Sequence, residues 1–182
     1  DQAETVLMRF LKGSGLTGYQ GIWSQRHIYD MRVIRPLLDV DKHELLSYLR
    51  KQKQSFVEDP SNKDLSLTRN FIRHKILPQL SKTLNPQLTK TLARSANILQ
   101  TDYVYLESQA KRRLKACALK TTSSALTLDL AKFQRSNQAL QRMMIRLAAQ
   151  HLSGSTRQLT FQHIQDVEDL LEYRPKGSVV HL

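Results

Sequence analysis

Apolar residues recur every three or four positions along most of this chain and alternate strictly only in short stretches, so helices are expected to dominate. Val6, Leu7, Phe10 and Leu11 predict a helix over residues 5–11, ended by the glycines at 13, 15 and 18. His27 through Arg35 reads as one extended segment within residues 27–38, ended by Pro36. Asp41, with Glu44 three positions on, has the form of a capping box for a helix carrying Leu45, Leu46, Tyr48 and Leu49. Phe56 and Val57 then close a short apolar pair.

The next stretch is the most constrained. Pro60 fixes φ and disfavours helix at Asp59, and Ser61 and Asn62 can bond their own backbone, so residues 58–66 are expected as an ordered loop. Thr68 can cap the helix that follows. Phe71, Ile72, Ile76 and Leu80 recur at helical spacing and are expected to face a core, leaving Arg69, Asn70, Arg73 and His74 on the solvent side of the helix start.

Asn85 followed by Pro86 marks a new helix start. Leu88, Leu92, Ala96, Leu99, Tyr103, Leu106, Ala110, Leu114 and Cys117 form one stripe of a long amphipathic helix. Residues 121–124 break it, and Leu126, Leu128 and Leu130 alternate as a short strand. Leu140, Met143, Met144 and Leu147 mark a helix ending near Gly154; Thr160 caps a last helix through Phe161, Ile164, Val167 and Leu171. Residues 178–182 read as a strand. The order over residues 1–84 is that of a trailing part of an α/β domain, and residues 85–182 are expected as a mainly α-helical domain with a short strand pair. The boundary is expected near residues 82–86.

Charge narrows the class of partner. The 182 residues carry 28 Lys and Arg against 16 Asp and Glu, a net charge of +12, which favours an anionic partner such as nucleic acid. Residues 85–160 hold 12 basic and three acidic side chains, whereas residues 161–182 hold two basic and four acidic ones. No apolar run approaches the roughly 20 residues of a membrane span. Cys117 is the only cysteine, which excludes an internal disulfide and fits a reducing cytoplasm. The N-terminal residues read as the first turns of a helix and suggest a chain that begins inside a larger domain.

Several groups could carry chemistry. Asp1 and Glu4 lie on one helical face and could hold a metal ion or an ammonium group, or simply complement the helix dipole. The Gly13-Ser-Gly loop is better read as a helix stop than as a phosphate cradle. Arg69 and Arg73, four apart, offer donors to a phosphate or a base edge; equally, either could pair with Glu58 or Asp59 and fasten the loop. Arg35 is a further anion candidate. Lys111, Arg112, Arg113 and Lys115, with Arg135, Arg142 and Arg146, supply a basic surface suited to a phosphate backbone. Cys117 and the Met143-Met144 pair are expected in the core.

Taken together, Asp1-Gln-Ala-Glu-Thr, Arg9 with Gly13-Ser-Gly, Arg35-Pro-Leu-Leu, Glu58-Asp-Pro-Ser-Asn and Arg69-Asn-Phe-Ile-Arg resemble, in order and spacing, the tRNA(Ile)-lysidine synthases of the N-type ATP pyrophosphatase superfamily. The resemblance covers residues 1 to about 80 strongly and the helical remainder, similar to the family's substrate-binding domain, more loosely. It implies that residues 1–84 are the trailing part of a Rossmann-like nucleotide-hydrolase domain and residues 85–182 a tRNA-binding one. The activity implied is ATP-dependent ligation of free lysine to C2 of the wobble cytidine of tRNA(Ile), through adenylation of the base and displacement of AMP.

By that resemblance Asp1, Glu4 and Arg69 are the catalytic residues: Asp1 and Glu4 receive the lysine ammonium or help organise Mg²⁺, and Arg69 contacts the target nucleotide or the activated intermediate. Arg35, Asn70, Arg73, Lys111, Arg112, Arg113, Arg142 and Arg146 make up the substrate- and tRNA-binding set, with Asn70 and Arg73 supporting the catalytic group. ATP and Mg²⁺ are the implied cofactors, tRNA(Ile) and lysine the implied partners, and a homodimer stays open. The family's Ser-Gly-Gly-x-Asp-Ser loop, which grips ATP, and a histidine pair are expected ahead of Asp1 and are absent from the sequence. The expectation is therefore a fragment that alone neither hydrolyses ATP nor makes lysidine, with tRNA binding by the fragment left open. Two competing readings are a tRNA thiolation enzyme, disfavoured by the single cysteine, and a non-catalytic tRNA-binding module.

Overall fold

A computed structural model describes residues 1–28, 30–155 and 159–181. The chain forms two compact units, Asp1–Tyr103 and Val104–Leu182. Their division falls inside one long helix, whereas the change in sequence character lies near residues 82–86.

In the first unit, α1 (Gln2–Leu11) starts three residues earlier than its apolar pattern predicts, with Asp1 as N-cap. Gly13, at φ +70°, stops it. A short α2 (Leu16–Tyr19) leads into β1 (Gln25–Ile28) and β2 (Met31–Ile34), which pair antiparallel with Arg26 opposite Val33. The single extended segment expected over residues 27–38 is thus corrected to a hairpin, turned at Asp30, a residue that tolerates turn geometry; Tyr29 lies outside the described residues. The capping box at Asp41 and Glu44 forms and starts α3 (Lys42–Lys51).

After a 3₁₀ turn at Pro60–Lys63 come α4 (Thr68–Phe71), a π-helical turn (Ile72–Ile76) and α5 (Leu77–Thr83), in one continuous run. Thr68 does not cap this run. The helix begins one residue earlier, with the Leu67 carbonyl already accepting from the Phe71 N–H at 3.0 Å. The π turn has a local cause: Pro78 brings no N–H, and the Leu77 N–H reaches back five residues to the Ile72 carbonyl. The buried positions are accordingly Ile72 and Leu77, five apart, which with Ala3 form the core against which Leu7, Met8, Leu88 and Leu92 pack. Phe71, expected in the core, is 44% exposed, since the core face of this turn is set by Ile72, one residue and about 100° around the axis from it.

The long helix α6 (Leu88–Cys117) keeps its whole predicted stripe out of full exposure, with Ala96, Ala110 and Cys117 buried. In the second unit β3 (Ala118–Thr121) and β4 (Leu126–Leu128) pair antiparallel. Leu130, expected to extend the strand, instead opens α7 (Leu130–Gln134), because Asp129 caps the Lys132 N–H at 3.1 Å. Helix α8 (Gln138–Ser153) is capped by Asn137 and closed by Gly154 at φ +71°; Thr160 caps α9 (Phe161–Glu172) as expected. Met143, Met144 and Cys117 are buried. Residues 178–181 form no strand, and Leu182 lies outside the described residues. Among the described residues all strands belong to the two antiparallel pairs, and no helix is long and apolar enough to cross a membrane.

Candidate functional site

The first turn of α1 and the start of α4 meet through charge. The Glu4 side chain, 8% exposed, accepts from Arg69 Nε at 2.9 Å on Oε2 and from Arg73 Nε at 2.7 Å on Oε1; Arg73 Nη2 adds a bond to Oε2 at 3.0 Å. Asp1 Oδ1 accepts from Arg73 Nη2 at 2.7 Å and lies 3.3 Å from Arg69 Nη2. The four-residue spacing of the arginines puts both guanidinium groups on one stripe, and Ala3 beneath them packs against Ile72. Burial alone would raise the Glu4 carboxyl, but the bonds from Arg73 and Arg69 outweigh it and hold Glu4 below its ordinary value.

The arginines therefore do not fasten the loop through Glu58 or Asp59. Glu58 is 3.9 Å from Lys42, and Asp59 accepts from the Ser61 N–H at 2.9 Å. The loop is fastened by the neighbouring stripe instead. Asn70, buried, donates from Nδ2 to the Ser61 carbonyl at 2.7 Å and the Asp64 carbonyl at 2.9 Å, and His74 Nε2 lies 2.9 Å from the Asn62 carbonyl.

Behind α1 a second network holds the glycine-rich segment. Arg9 Nη1 donates to the Gly18 and Gly21 carbonyls at 3.0 and 2.7 Å; Gln2 pairs with both backbone groups of Ile22; Gln100 donates to the Gln20 and Ile22 carbonyls at 2.6 and 3.1 Å. Arg35, expected as an anion contact, donates from Nη1 to the Trp23 carbonyl at 3.0 Å. The N–H groups of Gly13 and Ser14 bond back to the Phe10 and Arg9 carbonyls of α1, and that of Gly18 to the Gly15 carbonyl, which makes the segment a helix stop. Sequence gives no sign of the roles of Gln2 and Gln100: glutamines carry no charge pattern, and the partners of these two are backbone groups.

The basic surface divides into two kinds of residue. Arg112 and Arg113 on α6 are exposed, and Lys111 makes an i,i+4 pair with Glu107 at 2.9 Å. Arg142 is instead committed to structure: it makes a two-pronged pair with Glu168, at 2.9 and 3.0 Å, and lies 5.4 Å from the Phe161 ring centroid. Its guanidinium is held above its ordinary value by the hydrogen bonds to Glu168. Arg146, one turn on, is half-buried.

The carboxylates of Asp1 and Glu4 are matched to guanidinium groups rather than to Mg²⁺. A hard divalent cation asks for about six oxygen ligands, whereas Glu4 Oε1, Glu4 Oε2 and Asp1 Oδ1 already accept from two cations. Among the described residues no three His, Cys, Asp or Glu side chains come together to hold a metal ion. The arrangement supplies two fixed guanidinium groups, one of them 43% exposed at its side chain, beside a buried carboxylate.

Comparison with known proteins matches residues 1–80 to the PP-loop domain. The chain is similar to the tRNA(Ile)-lysidine synthase of Solibacter usitatus, 35% identical over 170 residues, covering 93% of this chain and 38% of that protein. It is likewise similar to those of Clostridioides difficile, 31% identical over 93% of this chain and 36% of that protein, and Bacillus cereus strain ATCC 14579, 33% identical over 98% of this chain and 38% of that protein. The chain thus spans less than two-fifths of the length of these relatives.

Proposed function

From the PP-loop family, to which residues 1–80 of this chain belong, and from the chain's homology to tRNA(Ile)-lysidine synthases over most of its length, we propose that it takes part in lysidine formation on tRNA(Ile). The observation that carries this reading is the convergence of Asp1 and Glu4 with Arg69 and Arg73 across more than sixty residues of the PP-loop segment.

In this reading ATP supplies the adenylyl group that turns the C2 oxygen of the wobble cytidine into a leaving group. The chain's own residues orient and neutralise. Arg69, the more exposed of the pair, keeps donors for a nucleotide phosphate or the departing oxygen, where charge develops. Glu4 fixes the Arg69 Nε edge, so that the guanidinium is set before the nucleotide arrives. Asp1, whose Oδ1 is held by Arg73 and lies beside Arg69, is the carboxylate assigned to an incoming lysine ammonium. No step is assigned to Mg²⁺. Residues 85–182, with the exposed Arg112 and Arg113, are assigned to the tRNA backbone.

The test is Arg69→Ala in the intact enzyme, read by incorporation of labelled lysine into tRNA(Ile) and, separately, by tRNA binding. Loss of turnover with binding retained is expected. Equal loss of both assigns the chain to binding alone.

A further inference from the structure

Every residue from 58 to 68 is exposed, yet the segment has a defined shape. Asp59 and Asp64 close turns on the N–H groups of Ser61 and Ser66, each at 2.9 Å. Three of its carbonyls, those of Ser61, Asn62 and Asp64, face the helix and meet Asn70 and His74. Since a carbonyl only accepts, His74 Nε2 carries the hydrogen of that contact. None of its own residues is buried, so ordering the segment costs entropy without adding a side chain to the core.

The cost falls on the helix as well. Asn is a poor helix former and a buried amide is unfavourable unless bonded, yet Asn70 is 6% exposed as the third residue of α4. Asn70 and His74 form an i,i+4 stripe offset by one residue, about 100° around the axis, from the stripe of Arg69 and Arg73. One stripe grips the carboxylates of α1, and the other grips the loop. The helix start thereby sets the loop in register with the guanidinium groups.

We propose that Asn70 and His74 are positioning residues that hold Pro60–Lys63 as a preformed wall of the nucleotide site, with Ser61, Asn62 and Lys63 contacting the tRNA nucleotide through their side chains. Because the Ser61 and Asn62 carbonyls of the turn are already bonded, what its side chains offer a ligand is a hydroxyl, an amide and an ammonium group. That set suits the ribose-phosphate and base edge of an unstacked nucleotide. This inference rests on the lysidine reading above.

The experiment compares His74→Ala and His74→Gln in the intact enzyme, with Arg69→Ala as reference, reading KM for tRNA(Ile), kcat, thermal midpoint and tryptic cleavage after Lys63. His74→Ala is expected to raise KM for tRNA about 3- to 10-fold, the loss of one hydrogen bond, and to speed cleavage after Lys63 with the midpoint little changed. His74→Gln, which retains a donor, should recover most of both. Asn70→Asp, setting a carboxylate against two carbonyls, should loosen the loop further. If Arg69→Ala keeps full turnover, the lysidine site itself is misassigned. If Arg69→Ala is inactive while His74→Ala frees the loop without moving KM, or lowers the midpoint alone, or leaves cleavage unchanged, the positioning role is overturned and the site stands.

Discussion

Arg73 Nε lies 2.7 Å from Oε1 of Glu4, a residue 69 positions earlier, and the same guanidinium reaches Asp1 at 2.7 Å. One side chain thus ties the first turn of α1 to the π turn. Arg73→Met is expected to lower stability by about 2 kcal/mol, less than for a wholly buried pair because Arg69 still neutralises Glu4. Denaturant unfolding of the two proteins measures it. Arg73→Lys should recover only part, since an ammonium cannot reproduce the fork.

Acid should weaken the same region. Glu4 is held below its ordinary value against the pull of burial by its bonds to Arg73 and Arg69; Asp59 and Asp64 are held low by bonds from Ser61 and Ser66. A carboxylate depressed in the native state contributes stability that is fully present above its unfolded value and lost as pH falls through the native one. For Glu4 the contribution is therefore intact above about pH 4.5 and declines below it. Thermal midpoints measured from pH 6 to pH 3 should fall, and Glu4→Gln should flatten the part of the curve below pH 4.5.

Gly21 is expected to resist substitution. It sits at φ +63°, and an added Cβ would collide with the Gln2 side-chain amide that pairs with Ile22. Gly21→Ala should cost more than about 1 kcal/mol, whereas Gly13→Ala, with open space around it, meets only the backbone penalty. The difference in urea midpoints between the two variants is the check.

The basic side chains of the second unit should separate by function. Replacing Arg112 and Arg113 together by Ala should reduce the slope of log K against log salt for tRNA by about 1.5, the loss of two phosphate contacts. Arg142→Met should leave that slope unchanged and lower the thermal midpoint, because Arg142 is spent on Glu168 and Phe161.

Where the chain speaks through spacing, sequence reading served well. The Asp41 and Thr160 caps, the α6 stripe and the buried Met143-Met144 pair all follow from local rules that later packing does not override. The hairpin at Asp30 and the start of α7 at Leu130 did not, because an alternating pattern is silent about where a turn or a cap interrupts it. At the candidate site, Asp1, Glu4, Arg69 and Arg73 could be nominated but not paired, since nothing local to residue 69 names a partner at residue 4. Asn70 and His74 were visible only as donors; that both spend themselves on backbone carbonyls depends on the path of a loop with no side-chain pattern of its own.

The extra residue taken up by the π turn lets one rod answer to two masters. Its upstream half is indexed to the α1 carboxylates through Arg69 and Arg73, and its downstream half to the apolar interior through Leu77. The same residues wound as a regular α-helix between Ile72 and Leu77 would rotate the two halves by about 100° against each other, and only one of these alignments would survive. The wide winding at that point is therefore as much a part of the site as the identity of any side chain in it.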